Sequence, residues 1–245
     1  EEKASQLREQ IGISLEEQIK EMTTYNIALD MWRSKLFDHG IIVRICQMPI
    51  EDARAFCLFR DKLAGIGLSN EDRDHGKIFS LFHEVCHLAL RKPGVSGLSS
   101  RNKSPNQEIE QYCDRFSASF LLPSSHNEVC SSLEHLTTSL AYDTARIIAS
   151  KFKVSKYVVI RRALDLDYIT PDEYWRTYNE FREIDSVNWS QIDKGRGGNY
   201  YSTQISYNGK RFIALVMDAL NNRYINSVDV KRLVGLTPES IQSAL

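Results

Sequence analysis

The residues most able to do chemistry are five in a row, His83-Glu84-Val85-Cys86-His87, an H-E-x-x-H pattern. Four residues of α-helix rotate about 400°, so the imidazoles of His83 and His87 lie one turn apart on one face. That spacing lets two nitrogens share one Zn²⁺ (one ion per chain, Mn²⁺ being the alternative), with Glu84 beside the metal on the next position round. The surroundings strengthen the reading. Ile78, Phe79, Leu81, Phe82, Val85, Leu88, Ala89 and Leu90 leave almost no polar face. Three ionisable side chains buried in such a helix are costly unless paired or metal-bound.

A catalytic zinc needs a third protein ligand and an open position for water. A third histidine in the pattern H-E-x-x-H-x-x-G-x-x-H fails, because Leu90 and Pro93 occupy the required positions. The alternative is a carboxylate on a later helix, and Glu110, 23 residues after His87, is the candidate ligand. Glu108 competes with it but falls about 160° away on the helix. Asp114, one turn beyond Glu110, suits the outer N–H of a ligating histidine, fixing its tautomer and orientation. Such a site, with its fourth position open to water, is of the catalytic kind. Tyr112, His126 and His75 are available as oxyanion partners without a spacing rule to choose among them. Cys86 lies within the zinc-binding turn. A thiol there is a candidate redox switch, or simply a small residue chosen for packing.

The elements that must position these groups are legible in outline. Residues 4–11 form a short amphipathic helix broken at Gly12, and Ser14-x-x-Glu17 is a capping box opening a helix expected over 14–38. Strands are expected at 41–46 and 53–59, with a weaker one at 63–68. The apolar helix carrying the motif is expected over 77–91 and closes at Pro93-Gly94. Ser104-Pro105-Asn106-Gln107 is a second capping box, starting a helix that turns Ile109, Tyr112, Cys113, Phe116 and Phe120 inward and stops at Pro123. Residues 138–152 and 155–167 read as a helix-turn-helix pair, and a further helix starts at Pro171. After the linker Gly195-Arg196-Gly197-Gly198-Asn199, residues 200–206 and 210–216 flank Asn208-Gly209 and read as a β-hairpin, with helical residues beyond. The strand near 53–59 is a candidate edge for an extended substrate.

Composition excludes several classes. The 245 residues carry 31 Lys+Arg against 32 Asp+Glu, a net charge of −1, which removes the general argument for nucleic-acid or polybasic membrane binding. Lys156, Arg161 and Arg162 would suit DNA phosphates, but helix pairs of this shape are commonly packing units, and DNA binding is not expected. No apolar run approaches the ~20 residues of a membrane span, and the acidic start is no signal peptide. Five irregularly spaced cysteines do not form a disulfide framework. The expectation is a soluble cytoplasmic protein.

Two linked motifs then match a family. Trp32-Arg33, the stretch from Ile78 to His87, and Glu110-x-x-Cys113-Asp114-x-Phe116-Ser117-Ala118-x-Phe120-Leu121-Leu122-Pro123 together resemble the ImmA/IrrE metallopeptidases. The resemblance covers roughly residues 32–182. It implies a gluzincin-like site with His83, His87 and Glu110 as zinc ligands and Glu84 as catalytic base. It also implies cleavage of a helix-turn-helix repressor, switching on stress-response or mobile-element genes. The family often carries a DNA-binding helix-turn-helix domain before the peptidase, for which this sequence has too few preceding residues. Cys86 replaces the small residue that usually precedes the second histidine. The resulting expectation is an α+β fold, mainly helical, with a zincin-like core and a small antiparallel sheet. The expected domains are a metallopeptidase domain over 1–130, a helix-turn-helix-like extension over 131–194 and a C-terminal hairpin-helix α+β module over 195–245. A binding module of the toxin–antitoxin kind, holding a partner such as a toxin without cutting it, is the alternative. An intact Glu84 favours catalysis.

Overall fold

The computed structural model describes residues 1–61, 63–91, 95–96, 106–138, 142–189 and 199–244. The chain begins with α1 (Glu2–Ile11), α2 (Leu15–Lys20) and α3 (Tyr25–Asp38). Ser14 and Glu17 form the expected reciprocal capping box at the start of α2. The single helix expected over 14–38 is two, because Thr24 leaves the helix and its side chain accepts the Ile27 N–H to start α3 afresh.

Strands β1 (Ile41–Cys46), β2 (Ala55–Arg60) and β3 (Leu63–Ser69) follow, then α4 (Asp74–Ala89), β4 (Val95–Ser96) and α5 (Asn106–Leu121). The sheet order is β1-β3-β2-β4. It is mixed rather than wholly antiparallel. β1 runs parallel to β3, from Ile41↔Ala64 to Cys46↔Ser69, while β2 pairs antiparallel with β3 and β4. The connection after β1 turns at Pro49, whose carbonyl takes the N–H groups of Asp52 and Ala53, and delivers β2 to the far side of β3. β3, the weakest strand by sequence, is central. Its Gly65 and Gly67 lower strand propensity, but Gly67 has a use. A Cβ there would stand 2.4 Å from the Phe56 ring, so the cross-strand aromatic can lie over it only while the side chain is absent.

α4 packs against β2, β3 and α5. Trp32 of α3 meets Phe82 edge-on at 4.9 Å, Phe82 stacks on Phe120 of α5 at 4.0 Å, and all three are buried. This aromatic set fixes α4 against α5. The end of α5 is held from three directions. Arg8 donates to Phe120 O at 2.8 Å, Gln18 to Leu121 O at 3.2 Å and Arg162 to Leu122 O at 2.8 Å. Those carbonyls have no intrahelical donor, and two buried cations at a helix C-terminus also suit its dipole.

The chain continues through α6 (Asn127–Thr138), α7 (Tyr142–Phe152), α8 (Lys156–Asp165) and α9 (Pro171–Trp189). The pair α7–α8 turns at Lys153, with φ 55, and at Ser155, whose side chain caps α8. Residue 130, an expected domain boundary, falls inside α6, and a single hydrophobic core runs from Ala4 to Phe181. The three cations of α8 are engaged within the protein: Lys156 with Asp185, Arg161 with Asp165, and Arg162 with Leu122 O and Glu1. Ser104 and Pro105, the expected start of α5, lie outside the described residues, as does most of the glycine-rich linker.

The C-terminal hairpin is not formed. Residues on both sides of Asn208-Gly209 are helical: α10 (Tyr200–Asn208), α11 (Lys210–Asn221), then α12 (Ser227–Val234) and α13 (Pro238–Ala244). The module is therefore all-helical rather than α+β. Gly209, at φ 81, serves as a helix end, donating its N–H to Ile205 O. An Asn-Gly pair meets the positive-φ requirement of a helix C-terminus as well as that of a hairpin. Burial of Ile213 and Val216, three apart, is the helical period. With Ile205, Val230, Val234, Leu236 and Ile241 they make a second, smaller core. Buried Arg33 ties this module to the rest, donating to Val43 O, to Ser206 O at 2.8 Å and to Tyr207 O at 3.0 Å. Among the described residues no helix is long and apolar enough to cross a membrane.

Candidate metal centre

His83 and His87 are both buried on the inner face of α4, one turn apart, and their Nε2 atoms are 3.1 Å from each other. Glu110, on the facing helix α5, brings its carboxylate across both rings: Oε2 lies 3.0 Å from His83 Nε2 and Oε1 lies 3.4 Å from His87 Nε2. Asp114, one turn further along α5, sits 2.9 Å from the other side of the first ring and takes the His83 Nδ1–H. Glu84 is fully buried at the neighbouring position of α4. Glu108, the competing carboxylate, is exposed. The structure thus brings together His83, His87, Glu110 and Asp114 from two helices.

The electrostatics are those of a crowded cluster of nitrogen and oxygen donors. Burial works against a charged His83 ring, but its hydrogen bonds with Asp114 and Glu110 outweigh it and push the pKa up to about 10. His87 is likewise buried, and contacts with Cys113 and Glu110 push it up to about 9. Glu110, bonded to His83 and His87, is pulled down to about 2. Donors bound at 2.0–2.1 Å around a tetrahedral ion stand about 3.3 Å apart. The observed 3.0, 3.1 and 3.4 Å fit one small divalent cation shared by His83, His87 and Glu110. Two neutral imidazoles with Nε2 atoms in contact can form at most one hydrogen bond between them, whereas a metal uses both lone pairs.

The other expected residues separate from this cluster. Tyr112 points outward, 44% exposed, His126 is exposed, and His75 lies in the first turn of α4 against Tyr25. Tyr112 nonetheless lies within electrostatic reach of Cys86 and Cys113. Cys86 is buried, and its thiol faces Cys113 of α5. Cys113 is the residue that sequence reasoning missed. Its ligand atom and those of His83 and His87 all lie within 4.8 Å of one another. The available signal was its position three residues after Glu110, on the same helix face. Tyr174 of α9, nearly buried, was also missed and lies within electrostatic reach of Asp114.

Residues 37–164, just over half of the 245, match the model of a peptidase family, M78, described as the IrrE N-terminal-like domain. No curated protein sequence matches the chain significantly.

Proposed function

The chain belongs to the M78 family of IrrE N-terminal-like metallopeptidases, and we propose that it is a zinc-dependent endopeptidase acting on a specific regulatory protein. His83, His87 and Glu110 are the metal ligands and Glu84 the general base. The observation that carries this reading is the convergence of two imidazole nitrogens and one carboxylate at 3.0–3.4 Å, with Glu84 on the same helical turn. A zinc ion held by these donors would lower the pKa of a water and polarise the scissile carbonyl.

The protein's own groups do the rest. Glu84 accepts the water proton and returns it to the leaving amine. Asp114 holds the Nδ1–H of His83, leaving Nε2 as the nitrogen aimed into the cluster. β4 pairs with Ala55 and Phe56 of β2, and among the described residues no strand pairs with the outer edge from Leu58 to Arg60. An extended substrate segment adds there through main-chain hydrogen bonds. The substrate class is a helix-turn-helix repressor, in keeping with the ImmA/IrrE resemblance. The cations of α8 are engaged internally, which favours a protein substrate over DNA.

Co-expression with a helix-turn-helix repressor encoded beside this protein tests the proposal. A cut repressor is expected with the wild type and an intact one with Glu84→Gln. A cut product that persists with Glu84→Gln refutes the mechanism. An intact repressor bound stably by the wild type supports the partner-holding alternative.

A further inference from the structure

Cys113 stands between two contacts. Its thiol faces Cys86 on one side and His87 on the other, and all three side chains are buried, the cysteines at 0% and 1% exposure. Nδ1 of His87 has no hydrogen-bond partner, whereas Nδ1 of His83 is held by Asp114. The second ring is thus supported by packing against a sulfur where the first is supported by a carboxylate. Around one four-coordinate zinc, nitrogen bound at 2.0–2.1 Å and sulfur at 2.3 Å stand about 3.5 Å apart. The atoms of His83, His87 and Cys113 lie within 4.8 Å of one another, so the thiol needs a shift of only about 1 Å to reach that spacing.

We infer that Cys113 is a reserve metal donor: its thiolate can take the fourth position of the ion held by His83, His87 and Glu110, and so close the site. The inference rests on the reading of those three residues as a metal centre. Three protein donors leave a place for water, as hydrolysis requires, while four make a closed site of the structural kind. Ligation breaks the Cys113 S–H bond and forms a metal–sulfur bond in place of the metal–water bond. The proton and the displaced water leave to solvent, and no electrons are transferred. Zinc favours thiolate donors, so sulfur competes well with water for the position. Cys86 is the alternative partner of the same sulfur, holding it away from the ion in the open state. The protein therefore carries an internal, reversible block on its own active site.

Full-length protein loaded with Co²⁺ tests this. Cobalt reports its ligands directly: visible ligand-field bands mark a tetrahedral site, and a near-ultraviolet charge-transfer band marks bound sulfur. The expected result is both features in the wild type and in Cys86→Ala, with the sulfur band lost and the ligand-field bands kept in Cys113→Ala. Cys113→Ser serves if the alanine variant does not fold. Ligand-field bands without a sulfur band in the wild type overturn the inference and leave the metal centre standing. A sulfur band lost in Cys86→Ala but kept in Cys113→Ala also overturns it, by assigning the donor to Cys86. No cobalt bound to the wild type overturns the metal-centre reading, and this inference with it.

Discussion

Replacing Asp114 by alanine isolates the part of the site that orients a ligand without touching the metal. The bond at stake is His83 Nδ1–H to Asp114 Oδ1, 2.9 Å, on a ring that is 6% exposed. A hydrogen bond to a charged group contributes about 1.5–3 kcal/mol net. The Asp114 side chain is 40% exposed, so water can replace part of what is lost, and the lower end, about 1.5 kcal/mol, applies. That corresponds to roughly a tenfold loss of zinc affinity, within the range for outer-sphere partners of ligating histidines. Competition with a chromophoric chelator at neutral pH measures it. Asp114→Asn keeps an acceptor oxygen in place and is expected to stay within about threefold of the wild type. Wild-type affinity in Asp114→Ala refutes the reasoning. Equal losses in both variants also refute it, because charge and not the hydrogen bond would then be responsible.

Zinc uptake should depend steeply on pH. With His83 pushed up to about 10 and His87 to about 9, the pair holds a proton near neutrality that the metal must displace. Apparent affinity is expected to rise at least about tenfold per pH unit from pH 7 towards 9, and a slope near zero in chelator titrations contradicts this. The same shifts govern the metal-free fold. The histidine contributions are complete below about 6.5 and lost as pH rises through 9–10, while that of Glu110 is present above 4.5 and lost as pH falls towards 2. Thermal denaturation in chelator should therefore show highest stability between those limits. Gly67→Ala forces the Phe56 ring out of its place and should cost about 1–3 kcal/mol in urea denaturation; an unchanged midpoint argues against the close approach. Arg33→Met removes the donor shared by Val43, Ser206 and Tyr207. Hydrogen exchange should then accelerate in α10 and leave α4 protected, and equal protection in both helices counts against Arg33 as the tie.

The clustering of His83, His87 and Glu110 was more legible in sequence than the strand order and the C-terminal helices. A motif spaced at one helical turn fixes its own geometry, so His83 and His87 needed only the helix to bring them together. Glu110 was separable from Glu108 because two residues of helix reverse the facing direction. Cys113 was overlooked because its proximity to His87 arises only when α4 and α5 pack together. Long-range order was harder to see. β3 looked weak because its glycines carry no side-chain signal, though one of them makes room for Phe56. The parallel pairing of β1 and β3 depends on where an eight-residue connection delivers β2, which periodicity does not encode. Residues around Asn208-Gly209 were read as a hairpin because aromatic and β-branched residues flank a turn dipeptide. The burial of Ile213 and Val216 against α12 and α13 decided for helix instead.

The most direct test of the central claim is the zinc content of the purified full-length protein after exhaustive dialysis, measured by elemental analysis beside single-site variants. One zinc per chain is expected in the wild type and in Glu84→Gln, and none in His83→Ala or His87→Ala. A wild type that retains no metal, or histidine variants that keep a full complement, would contradict the account.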